Sequence, residues 1–181
     1  MDTGLFHPGP ERFTEYPRPV FVCVGRVAVE KNLAAFLSLD LPGTKLIVGD
    51  GPARKELERR FPDAVFVGAK RGEELAGYYR RSDVFVFPSR TDTFGLVLAE
   101  AMASGVPVAA YPVRGPIDVL KDPEAGVMDV DLQAAALRAL TLDREKVRRY
   151  AEGFSWEHST RQFVSSLVPA RSREATVAQA A

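Results

Sequence analysis

Four side chains offer the clearest chemistry in this 181-residue sequence: Arg26, Lys31, Asp92 and Glu100. Arg26 and Lys31 stand five positions apart in Gly25-Arg26-Val27-Ala28-Val29-Glu30-Lys31-Asn32, directly after an apolar run. A pyrophosphate bound there would meet a planar guanidinium, a mobile ammonium and the positive end of a helix. Charge-assisted hydrogen bonds of this kind are the strong ones. The alternative is a pair of solvated surface cations. Glu100 stands among Val97, Leu98, Ala99, Ala101, Met102 and Ala103. A charge in such company is costly unless it is paired or ligated, and two vicinal hydroxyls of a ribose would satisfy it. Asp92 lies just before the same stretch, where a helix cap is as good an explanation as a ligand.

Other chemistries find weaker footing. Gly49-Asp50-Gly51-Pro52 could open a dinucleotide fingerprint, but the glycine required at position 54 is Arg54. A tight turn explains those glycines more simply. No Walker-type phosphate loop and no nucleophile elbow is present. The single cysteine, Cys23, rules out an internal disulfide and a cysteine zinc cluster, and reads as strand core. His7 and His158 have no metal-ligand spacing. Tyr78-Tyr79-Arg80-Arg81 reads as one helical turn with an apolar and a charged side, not as a nucleic-acid stacking platform. The 24 basic and 24 acidic side chains cancel, which argues against a protein that coats nucleic acid. No apolar run reaches the roughly 18 residues of a membrane helix, and residues 1–8 do not form a secretory signal. A soluble cytoplasmic domain is the expectation.

The elements that must position these residues alternate regularly. Apolar β-rich runs at 20–25, 46–49, 65–68, 84–88 and 106–110 predict strands, the first apolar throughout as if buried on both faces. Pro107 places the fifth at a strand start or a sheet edge. Between them, 32–39, 52–61, 73–81 and 95–104 carry helical spacing, and the last is apolar nearly all round, which predicts deep burial. Further helices are expected over 132–142 and 143–151, and from Ser155, a plausible N-cap. Such alternation predicts an α/β fold: a doubly wound, mostly parallel, Rossmann-like sheet with helices on both faces. Ligands of such sheets sit beyond the carboxyl ends of the strands, where Arg26, Lys31 and Asp92 all fall. Residues 1–18, rich in Pro and Gly, read as a linker, 19–168 as the domain, and 169–181 as a disordered tail.

Asp92 to Met102 resembles the Glu-x7-Glu signature of retaining glycosyltransferases of the GT-B architecture, family 4. Gly25 to Asn32 is similar to that family's Gly-Arg-x4-Lys loop. Gly49-Asp50-Gly51-Pro52, Val67-Gly68 and Ser104-Gly105-Val106-Pro107-Val108 match in order and spacing. The resemblance spans about residues 19–120. It implies one half of a GT-B fold, the carboxyl-terminal domain that binds a UDP- or GDP-linked sugar for transfer of a hexose-type unit. Arg26 and Lys31 would hold the diphosphate and stabilise the leaving group in place of a metal, so neither metal nor cofactor is expected. Glu100 would take the ribose. The backbone around Phe94, Gly95 and Leu96 would approach the distal phosphate and sugar, with Gly25, Gly49 and Gly51 nearby. Asp92, where the family has Glu, would hydrogen-bond the transferred sugar, its shorter arm still accepting hydrogen bonds.

A larger departure is the absence of the family's first, acceptor-binding domain. Residues 1–8 resemble the linker into the second domain, and helices near the carboxyl terminus in relatives return to touch the first, which would leave Trp156 and Phe163 short of support. The chain alone is then expected to bind donor and transfer nothing. A lipid or glycan is the expected acceptor, and the inner membrane face is an alternative station for the full-length protein. A nucleotide-sugar epimerase of similar architecture and a non-catalytic nucleotide-binding module are the competing readings.

Overall fold

A computed structural model describes residues 1–91 and 95–167. Six strands form one all-parallel sheet: β1 (Val20–Val24), β2 (Thr44–Val48), β3 (Val65–Phe66), β4 (Val84–Phe87), β5 (Val108–Ala110) and β6 (Gly126–Met128). Their order is β3-β2-β1-β4-β5-β6. Successive side chains on a strand point to opposite faces, and the sheet divides its apolar residues accordingly. Val20, Val22, Leu46, Val48, Phe85 and Phe87 enter one core. Phe21, Cys23, Ile47, Val84 and Val86 enter the other. Burial on both faces is why these strands read as unbroken apolar runs.

The first core is covered by α3 (Gly72–Arg81), α4 (Leu96–Ala103), α5 (Pro116–Val119) and α7 (Arg144–Ala151). The second is covered by α1 (Leu33–Leu37), α2 (Arg54–Arg60) and α6 (Leu132–Ala139). In α4, Leu98, Ala99, Ala101, Met102 and Ala103 are all buried. Gly105 ends it at φ 67°: its N–H donates to Met102 O at 2.9 Å, and Val106 N–H donates to Ala101 O at 2.9 Å. This paired arrangement satisfies the last carbonyls of a helix. A final helix, α8 (Trp156–Ser165), starts at Ser155, whose side chain accepts from His158 N, and buries none of its residues. Trp156 and Phe163 are both exposed.

Two elements have no counterpart in the sequence pattern. β6 is three residues long and opens on Gly126, too short for a periodic signal, and its existence depends on pairing with β5. α5 is a single turn begun by Pro116. β5 lies between β4 and β6, so Pro107 marks the start of a strand and not a sheet edge. The Pro- and Gly-rich opening segment lies against the domain: Phe6 and Phe13 are buried in the first core, and Arg148 on α7 donates to Phe6 O at 2.7 Å and Thr3 O at 3.2 Å.

Candidate functional site

β1 and β4 are neighbours, and the chain winds away from them in opposite directions, through β2 and β3 on one side and β5 and β6 on the other. At such a point the connections diverge and leave a crevice beyond the strands' carboxyl ends. A cavity of about 510 Å³ opens there. Gly25, Arg26 and Lys31 line it from the β1 side, and Ser89, Gly95 and Leu96 from the β4 side. A smaller cavity of about 230 Å³ adjoins it and is lined by Gly25, Arg26, Gly49, Asp50, Ala69 and Lys70. The segments predicted to carry the chemistry therefore meet, although some 70 residues separate them in the chain.

Local geometry fixes the β1 side. A 3-10 turn over Val29–Lys31 ends at Asn32, which takes the left-handed conformation at φ 54°. The Asn32 side-chain amide donates to Pro88 O at 3.1 Å, tying the lysine-bearing turn to the end of β4. Lys31 is half-buried. Arg26 is exposed, and its ion pair with Glu30 is long, at 3.8 Å. Such a pair is worth little in water and leaves the guanidinium available. The glycines have a steric role: at Gly49, with φ 153°, a Cβ would stand 1.8 Å from Gly25 O. At Gly51 a Cβ would stand 2.4 Å from Val27 O, and Gly51 lines neither cavity.

On the β4 side, α4 points its amino terminus at the cavity with Gly95 as its cap. The first N–H groups of a helix lack intrahelical partners and carry the positive end of its dipole. Ser89 is 1% exposed, and its Oγ has no hydrogen-bond partner among the described residues. Asp92 and Phe94 lie outside the described residues.

Glu100 is one helical turn beyond Leu96 and Val97 and is not part of the cavity wall itself. It is half-buried, and the Tyr79 hydroxyl donates to its Oε2 at 3.0 Å. Burial raises the carboxyl above its usual range, and the Tyr79 hydrogen bond opposes that shift. Tyr79 is wholly buried, and burial together with the Glu100 charge raises its phenol well above the ordinary value. The costly carboxylate thus has a partner within the chain, which its apolar sequence neighbours could not reveal.

Among the described residues, no group of three or more His, Cys, Asp or Glu side chains could hold a metal ion. No helix among them is long and apolar enough to cross a membrane. Sequence reasoning missed Asn32, Tyr79 and Ser89. Asn32 left a signal, being a non-glycine residue type that tolerates the left-handed region, whereas the roles of Tyr79 and Ser89 depend on tertiary packing.

Residues 18–143 match the family described as Glycosyl transferases group 1. The chain is 36% identical over 165 residues to the sulfoquinovosyl transferase SQD2 of Arabidopsis thaliana, a match covering 81% of this chain and 32% of that protein. It is 43% identical over 141 residues to a GDP-mannose-dependent alpha-mannosyltransferase of Mycolicibacterium smegmatis, covering 74% of this chain and 36% of the relative. The crystal structure of the carboxyl-terminal domain of a glycosyl transferase group 1 family protein from Francisella tularensis superposes with a TM-score of 0.64 at 23% identity, covering 90% of this chain and 98% of that one. The chain spans about a third of the length of the two curated relatives.

Proposed function

The chain belongs to the glycosyl transferases group 1 family, and from that premise we propose that its cavity binds the diphosphate and sugar of a UDP- or GDP-linked hexose for transfer with retention of configuration. The observation that carries this reading is the meeting of Arg26 and Lys31 with the amino terminus of α4 around one cavity. Two cations and a helix end supply fixed positive charge where a nucleoside diphosphate leaves. Charge preorganised for the leaving group is an effective form of catalysis, because nothing has to reorganise as the bond breaks. Glu100 takes the ribose hydroxyls, and Gly95 and Leu96 offer backbone N–H groups to the distal phosphate and sugar. Asp92 holds the transferred sugar.

Transfer itself needs a second body that carries the acceptor, a lipid or a glycan, and closes over the cavity. Support comes from the segments that follow the strands. Val29, Leu96, Ile117 and Val130 are exposed apolar side chains, each in such a segment, and Leu96 also lines the cavity. The chain alone is expected to bind donor and to transfer nothing. Calorimetric titration with UDP, GDP and their sugar conjugates tests the reading. Binding of one nucleotide series is expected, and absence of binding by both would overturn it.

A further inference from the structure

We infer that Tyr79 is a positioning residue of the donor site: its hydroxyl holds the Glu100 carboxylate in one orientation and leaves Oε1 to accept ribose hydroxyls. This rests on the reading of Glu100 as the ribose-binding group. Tyr79 belongs to α3 and Glu100 to α4, two helices on the same face of the sheet. The Tyr79 ring is locked between Phe6, edge-on at 5.8 Å, and Phe85 at 5.7 Å. Its hydroxyl is therefore a fixed donor, and its hydrogen bond goes to Glu100 Oε2. Oε1 accepts no hydrogen bond among the described residues, so one oxygen is anchored and the other keeps its capacity to accept.

The ring contacts do not need the hydroxyl, since phenylalanine would fill the same space. What the hydroxyl adds is control of Glu100. A glutamate side chain has several rotamers, and fixing one when ligand binds costs free energy that a prior anchor has already met. A carboxylate near apolar neighbours also tends to take up a proton, and a donor aimed at the charged form opposes this. An anchored, ionised Glu100 is a better acceptor of two hydroxyls than a loose or protonated one.

The test compares wild type, Tyr79→Phe, Glu100→Ala and the double variant in titrations with UDP, GDP and inorganic pyrophosphate. For the nucleoside diphosphate that wild type binds, Tyr79→Phe is expected to weaken affinity about tenfold, the scale of one hydrogen bond to a charged group. Pyrophosphate affinity should stay unchanged, and Tyr79→Phe should add nothing once Glu100 is alanine. A merely structural tyrosine would affect both ligands together or neither, and either result overturns the inference. So does a loss that persists in the Glu100→Ala background. A check without any variant is the Tyr79 hydroxyl proton in NMR spectra of the wild type, which should persist when the nucleotide binds, and its disappearance counts against the inference. Wild type that binds neither nucleotide defeats the donor-site reading itself. Binding that requires Glu100 but not the Tyr79 hydroxyl defeats this inference alone.

Discussion

Replacing Arg26 by alanine should separate affinity from stability. In the free protein the Arg26 side chain is 67% exposed and its partner Glu30, 3.8 Å away, is 54% exposed. A solvent-exposed pair of that kind is worth about 0–1 kcal/mol. For a domain of this size about 1 kcal/mol moves the melting temperature by about 2–4 °C. The variant should therefore melt within about 4 °C of wild type. In the proposed complex the same guanidinium would make at least one charge-assisted hydrogen bond to the diphosphate, worth about 1.5–3 kcal/mol. Affinity for UDP or GDP should then fall by roughly 10- to 150-fold.

Isothermal titration together with a thermal melt measures both quantities on one preparation. Titration at two salt concentrations adds a third: loss of a cation at the phosphate should flatten the dependence of affinity on ionic strength. Arg26→Lys should fall between wild type and alanine, because lysine keeps the charge but not the planar fork. An unchanged dissociation constant would refute the assignment of Arg26 to the diphosphate. A large drop in melting temperature would show instead that the residue holds the fold.

Four further outcomes follow from the same geometry. Gly49→Ala should destabilise by about 3 kcal/mol or more, since a Cβ 1.8 Å from Gly25 O forces the β1 and β2 loops apart; a denaturant melt matching wild type would contradict this. Ser89→Ala should raise the melting temperature by a few degrees, as it deletes a buried hydroxyl without a partner among the described residues, a defect of about 1–3 kcal/mol; a lower melting temperature would mean that the hydroxyl is satisfied. Burial raises the Glu100 carboxyl, so it should take up its proton at a higher pH than an ordinary glutamate. Nucleoside-diphosphate affinity should therefore fall as this proton is taken up while the Glu100 contribution to folding stability rises, because the folded state holds the proton more tightly than the unfolded chain; affinity that increases on acidification would oppose the role given to Glu100. Finally, Trp156→Ser should leave the melting temperature within about 1 °C, because an exposed side chain on a helix with no buried residues contributes little to this domain, and a marked loss of stability in the melt would show that α8 is anchored.

The alternation of elements was legible because β1, β2 and β4 are buried on both faces, so that they read as apolar runs, while α2 and α3 between them keep one charged side. Arg26 and Lys31 were legible for the same reason: the end of an apolar run marks where a doubly wound sheet presents its ligands. β6 was not, since three residues opening on glycine acquire strand character only beside β5. The environment of Glu100 was half legible. Its apolar sequence neighbours announced a strained carboxylate, but Tyr79, 21 positions earlier, reaches it only because α3 and α4 pack side by side. The glycines at 49 and 51 admitted a turn or a ligand in sequence, and the backbone of the β1 loop proves to be what crowds them.

How the site's members are held suggests a division of labour between them. Asn32 crosses from the lysine-bearing turn to Pro88, so the two sides of the cavity are joined before any ligand arrives. Tyr79 anchors Glu100 in the same sense. Arg26, by contrast, is exposed and only loosely paired. A wall joined in advance with an exposed cation at its mouth would suit the proposed ligand, which enters from solvent and departs as a charged diphosphate: the wall supplies geometry at little ordering cost, and the cation supplies charge. Rigid placement matters most for the groups that orient the nucleoside, whereas long-range attraction tolerates motion. The expected contrast is that mutations at Asn32 or Tyr79 act through geometry and resist correction by low salt, while the loss at Arg26→Ala is itself a function of ionic strength.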